Sequence, residues 1–277
     1  MHKPLRRHSH NKLLELKPLL DGISREVESA GYIRNDPVQF MHAFESKRDM
    51  EIAGFLAALM AWGRRDVVIR KTEGLLKRMG YSPYTYVINY SPSDADDFRT
   101  FRHRTFNQTD IHGLISALQA VYLSFDDFEE FWKTCYKQSM DEKRTLLSVF
   151  HSRFLTISGE LDARTWKHVS SPDNNSACKR LTMFLRWACR KGSPVDTGIW
   201  DFLSPSQLFI PLDVHIARQS RRLGLLTRRS NDWKAVEELT EIFRLMSPAD
   251  PSVYDFALFG LGALGYSLPH RYFLNPV

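Results

Sequence analysis

A chain of 277 residues that is 43% hydrophobic and 25% charged has enough apolar material to close a core and is too apolar to be largely disordered. Its formal net charge of +6 suits contact with phosphate without requiring it. No stretch reaches the ~18 uninterrupted apolar residues of a membrane span, the basic start lacks the apolar run of a signal peptide, and Cys135, Cys178 and Cys189 have no metal-ligand spacing. A reducing cytoplasmic setting is expected, with no membrane, metal or cofactor.

Leu13, Leu14, Leu16, Leu20, Ile23 and Val27 form an apolar stripe that predicts a first helix, with Asn11 as its cap. Asp36 followed by Pro37, with Phe40 and Phe44 four apart, predicts the start of a second. Ile52, Phe55, Leu56, Leu59 and Met60 share one helical face ending near Trp62 and Gly63. Asp66 is expected to cap the next helix, so residues 49–79 read as a helical hairpin turning at Gly63, Arg64 and Arg65. Residues 81–108 hold Ser-Pro twice and little periodicity, which predicts a long connection. Within it, Phe101, Arg102, His103 and Arg104 form a basic stretch whose ring is expected to stack on an unstacked base.

Helices are expected to resume at Asp110 and to continue over 126–138 and 141–156. In the C-terminal half the pattern predicts helices over 176–190, 213–223, 231–246 and 250–265, with a Gly/Pro-punctuated insertion at 192–211. No convincing strand or internal repeat is present, and the predicted class is all-α.

Taken alone, Asp213 in Ile210-Pro211-Leu212-Asp213-Val214-His215 reads as a helix N-cap worth ~1 kcal/mol. Lys179 beside Arg180 reads as a surface lysine that grips a phosphate. Arg64, Arg65, Arg218, Arg221 and Arg222 read equally as solvated faces or as phosphate clamps. Trp187 is expected in the core, whereas Trp200, on the irregular insertion, is a candidate pocket wall. Asp196 either supports that pocket from behind or caps a helix over 197–203, and His215 is expected to pack near the helix start.

The segment PLDVHIARQSRRLGL resembles the region around the catalytic aspartate of the helix-hairpin-helix DNA glycosylases, including their endonuclease and 8-oxoguanine branches. GFLAALMAWGRRDVVIRKTEGLL resembles their early helix-turn-helix around the base pocket, and DPSVYDFALFGLGALG their last core helix. The blocks stand in family order over residues 49–265. They resemble most closely an uncharacterised bacterial family related to the archaeal 8-oxoguanine glycosylases.

The resemblance implies two helical lobes with a DNA-binding cleft between them. Residues 49–170 would form mainly the early lobe, 171–223 the hairpin and catalytic segment, and 1–48 with 224–277 would complete the lobes. It also implies that Lys179 attacks the sugar and forms a Schiff base, while Asp213 stabilises positive charge as the base departs. Trp200 and Asp196 would then border the base pocket, and Arg64, Arg65, Arg180, Arg218, Arg221 and Arg222 would hold DNA. The implied reaction is excision of a flipped, damaged base, an oxidised purine first, followed by strand nicking through β-elimination. The implied partner is damaged or abasic duplex DNA, met by a monomer at the nucleoid.

The chain departs from the family pattern in three places. The turn Ser171-Pro172-Asp173-Asn174-Asn175 lacks glycine, so an asparagine is expected to supply its left-handed residue. Gly63 stands near the place of a common glutamine, which leaves the strand-separating wedge unassigned, and the four-cysteine iron–sulfur cluster is missing. A non-catalytic DNA- or RNA-binding protein of the same architecture is the alternative, and a helical scaffold docking an acidic protein is a third.

Overall fold

The computed structural model describes residues 5–157, 159 and 163–275. Its helices are α1 (His10–Val27), α2 (Ala30–Ile33), α3 (Gln39–His42), α4 (Lys47–Met60), α5 (Arg65–Arg78), α6 (Pro83–Ile88), α7 (Gln108–Ser124), α8 (Phe128–Glu142), α9 (Leu146–Ile157), α10 (Ala163–Trp166), α11 (Lys179–Cys189), α12 (Val214–Arg222), α13 (Trp233–Met246) and α14 (Tyr254–Ala263). Among the described residues the only strands are β1 (Arg102–His103) and β2 (Phe106–Asn107), paired antiparallel. The class is all-α, as the periodicity predicts.

The chain divides into two compact units, Met1–Tyr32 with Asn175–Val277, and Ile33–Asn174. Residues 33–48 belong to the same unit as α4 and α5. Met41 of α3 lies against Gly54 of α4, where an added Cβ would come 2.5 Å from Met41 Cγ.

In the first unit, α1 runs along α14 and buries Leu13, Leu16, Leu20, Ile23 and Val27. Leu14, assigned to that stripe from sequence, is 50% exposed. Asn11 is not the cap, because the bond from the Leu13 amide to the Ser9 carbonyl closes the first turn two residues earlier than expected. Gly260 permits the close approach of α14: its missing Cβ would stand 2.8 Å from Ile23 Cγ2. Helix α11 buries every residue from Leu181 to Cys189, so it passes through the unit's core and leaves Lys179 and Arg180 at its margin.

In the second unit, Phe55 of α4 meets Phe128, Phe150 and Phe154 edge-on, at centroid distances of 5.0, 6.1 and 5.5 Å. Glu51, fully buried, accepts the Phe128 and Glu129 amides at the start of α8 and the Tyr122 hydroxyl. Asp66 does not cap α5. The Val68 amide bonds the Arg64 carbonyl, making Arg64 the capping position, and Asp66 ion-pairs with Arg64 at 3.0 Å instead. The Asp36-Pro37 start yields only the single turn of α3. The connection expected over 81–108 contains α6, a 3-10 helix (Pro92–Phe98) and the β1–β2 hairpin.

Candidate active site

Three helix starts of the first unit contribute to one charged cluster. Lys179 is the first residue of α11 and is half-buried. Cys178 precedes it, buried and left-handed at φ 50°, a conformation that costs a non-glycine residue ~1 kcal/mol or more. Asn175 is also left-handed, at φ 55°, as expected for the glycine-poor turn.

Seven residues and about two turns along the same face stands Arg186, only 2% exposed. Its Nε donates to Asp196 at 3.3 Å, its second arm ion-pairs with Asp255, and its guanidinium lies 4.5 Å over the Phe256 ring. One turn further, Arg190 binds Asp196, Asp250 and Glu28.

Asp213 caps α12. Its Oδ1 accepts the His215 and Ile216 amides at 2.8 and 2.9 Å, which locks the carboxylate against the helix start. Asp255 lies in the first turn of α14, its side chain 15% exposed. Burial pushes its carboxyl up to about 6; Arg186 opposes that rise, Asp213 adds to it, Lys179 opposes it and Asp196 adds to it. Helix α12, which Asp213 opens, packs along α14, and Arg186 of the helix that Lys179 opens ion-pairs with Asp255 in the first turn of α14.

Sequence reasoning missed Asp255. The signal was present: it is the one acid in an otherwise apolar helix, flanked by the buried Tyr254 and Phe256.

Several expected site residues stand elsewhere. Trp200 is fully buried, edge-on to Phe184 at 5.1 Å, so it is a core ring and not an open pocket wall. Trp187 is in the core, as expected. Asp196 is 4% exposed and held between Arg186 and Arg190; residues 197–203 are not helical, so it caps nothing there. Phe101 is buried beneath Lys71 and Arg78 and offers no face for stacking on a base.

The arginines also separate. Arg221 donates to the Arg228 and Ser230 carbonyls and to Asn231, bracing the loop after α12. Arg222 binds Gln219 and covers the Phe273 ring at 4.7 Å. These two read as structural braces instead of phosphate clamps. Arg218 and His215 are exposed. Arg180 is half-buried beside Lys179. In the second unit, Arg64 is 81% exposed while paired to Asp66, and Arg65 pairs with the buried Asp36 at 3.3 Å. Among the described residues no cluster of three metal-ligating side chains occurs, and no helix is long and apolar enough to cross a membrane.

The family model described as "Protein of unknown function (DUF2400)" matches residues 36–264. The chain belongs to that family. No curated protein and no solved structure matches it. The DUF2400 match takes in Lys179, Arg186, Asp213 and Asp255, while Glu28, which pairs with Arg190, lies before it.

Proposed function

We propose that this DUF2400 protein is a DNA repair glycosylase with lyase activity, excising a damaged base through a Schiff base on Lys179. One observation carries the reading: Lys179 opens α11 and Asp213 opens α12, and both helices meet α14, α12 by packing along it and α11 through the Arg186–Asp255 ion pair. An amine and a fixed carboxylate in one cluster are the parts this chemistry needs. The amine forms the bond to the sugar carbon, and the carboxylate opposes positive charge growing on the sugar.

Asp213 is suited to that second role. Its Oδ1 is bound by two amides, which orients Oδ2 without any movement at the moment of reaction. The net charge of +6 favours a polyanionic partner. The helix-hairpin-helix architecture, and an oxidised purine as the first base to test, are parts of the same proposal.

Borohydride reduction in the presence of abasic duplex DNA tests it. Wild-type protein should form a covalent adduct that Lys179→Ala does not. The exposed Asp173 in the 171–175 turn favours a second reading, because a carboxylate there repels the phosphate that a glycine-rich turn would grip. Salt-sensitive DNA binding without any adduct would support that reading, a non-catalytic nucleic-acid-binding protein.

A further inference from the structure

We propose that the β1–β2 hairpin of the second unit is a phosphate-binding surface, on which Arg102, Arg104 and Lys71 take the backbone of duplex DNA. This rests on the nucleic-acid part of the reading above and not on the Lys179 chemistry. Arg102 and Arg104 are exposed, Lys71 is half-buried, and among the described residues no carboxylate pairs with any of the three. Nearby cations differ: Asp66, Asp96 and Asp110 answer Arg64, Arg99 and Arg164.

The hairpin is fastened on three sides, so its arginines stand on a fixed frame. His103 Nε2 donates to the Met60 carbonyl at the end of α4 at 3.0 Å, and its ring lies edge-on to Trp62 at 4.8 Å. Arg164 of α10 donates to the Thr105 carbonyl at 2.8 Å. Asn107 closes the second strand as the N-cap of α7, in a reciprocal pair with Asp110. Strand alternation then decides what shows: His103 and its partner Phe106 are buried, while Arg102, Arg104 and Thr105 face solvent.

Arg104 is the telling position. It stands in the turn at φ 55°, a left-handed conformation that glycine adopts more cheaply. Its side chain lies over the α4–α5 turn at Gly63, where an added Cβ would come 2.9 Å from Arg104 Nη1. Glycine at 63 leaves room for the guanidinium, yet among the described residues nothing there binds it. A strained backbone thus carries a charge that the fold does not use. Lys71 of α5 adds a third cation, its Nζ 5.8 Å from the centre of the Phe101 ring just before β1.

Two features select a phosphate backbone over an acidic protein. The hairpin exposes no large apolar side chain, which the dry centre of a protein interface needs. The arginine forks suit phosphate oxygens, and the chain's net charge of +6 favours a polyanion. Acids of the preceding 3-10 helix are already engaged, Asp94 by the Ser91 amide, Asp96 by Arg99 and Asp97 by the Tyr86 hydroxyl. Contacts of this kind hold a duplex in place without reading its sequence.

The test is fluorescence anisotropy of a labelled, undamaged DNA duplex titrated with the whole chain over a range of KCl concentrations. Arg104→Gly removes the charge and suits the left-handed backbone, so it should fold. The slope of log affinity against log salt should flatten by about 1 in Arg104→Gly and by about 2 when Arg102→Gln is added, with affinity lost evenly across sequences. Arg104→Lys should restore most of the slope, which a merely structural role for the side chain would not. Should the double variant fail to fold, Lys71→Gln on α5 supplies the test, with a slope flatter by about 1. Wild-type slope and affinity in folded Arg104→Gly and Lys71→Gln would overturn the proposal, as would polyglutamate that displaces the duplex at equal charge, or wild type that binds no duplex at low salt. Flattened slopes without any borohydride adduct on abasic DNA would support this surface and overturn the glycosylase reading alone.

Discussion

Arg186 and Asp255 ion-pair between α11 and α14, and the pairing fixes the buried carboxylate to the helix that begins with Lys179. Arg186 also binds Asp196 and packs over Phe256, so one guanidinium answers two buried carboxylates. Replacing it with methionine keeps the apolar stem and leaves both acids without that charge. The expected cost is ~3–5 kcal/mol, the range for breaking a buried ion pair by removing one partner. Urea denaturation at neutral pH measures it, and a loss within ~0.5 kcal/mol, as at an ordinary surface position, would show that the cluster is not organised around Arg186.

Asp213→Asn separates capping from charge. The amide oxygen can still accept the His215 and Ile216 amides, so α12 should keep its start and the protein its melting temperature. Under the proposed function, base release should slow by at least ~100-fold, because the charge that opposes the developing cation is gone. Equal rates for the two proteins on a substrate that wild type cleaves would remove Asp213 from the chemistry.

Local signals were legible in the sequence. Asp213 announced the start of α12 because an N-cap acts within three residues, and the pattern that predicts helices from Asp110, over 176–190 and over 231–246 matches α7, α11 and α13. Tertiary contacts were not legible. Trp200 sat on an irregular segment and so looked available, yet Phe184 and the main chain of α11 enclose it. Arg221 and Arg222 read equally as a solvated face or a clamp because sequence shows charge and not the carbonyls and ring that occupy it. Asp255 was passed over because an acid in an apolar helix gains meaning only when Arg186, almost seventy residues earlier, is seen against it.

The arginines of α12 should therefore divide by experiment. Arg221→Ala should destabilise the protein by ~1–2 kcal/mol, since the Arg228 and Ser230 carbonyls and Asn231 lose a charged donor. Arg218→Ala, at an exposed position, should leave stability within ~0.5 kcal/mol and, if the helix meets DNA, lower affinity evenly across sequences with a flatter salt dependence. Chemical denaturation and salt titrations of DNA binding on both variants check the division. The reverse pattern, with Arg221 controlling affinity and Arg218 stability, would restore the phosphate-clamp assignment.

Asp255 should leave a distinct mark on stability against pH. Its carboxyl holds a proton up to about 6 when folded, against an ordinary 3.8, burial being the main cause. The folded state therefore binds that proton more tightly than the unfolded chain. The contribution is fully present below pH 3.8 and is lost as pH rises through about 6. At about 1.4 kcal/mol per pKa unit, the full swing is roughly 3 kcal/mol. Carboxylates such as Asp232, held below its usual range by its bond to Arg228, and Asp173, held down by Ser148, act in the opposite sense and lose stability as pH falls. The net curve of the wild type mixes these signs, so the informative quantity is its difference from Asp255→Asn, whose amide does not titrate. Measured by urea denaturation from pH 4 to about 7, wild type should gain on the variant as the solution becomes more acidic, mostly between pH 6 and about 4. A difference that stays flat across that range would mean that Asp255 titrates as an ordinary exposed carboxylate.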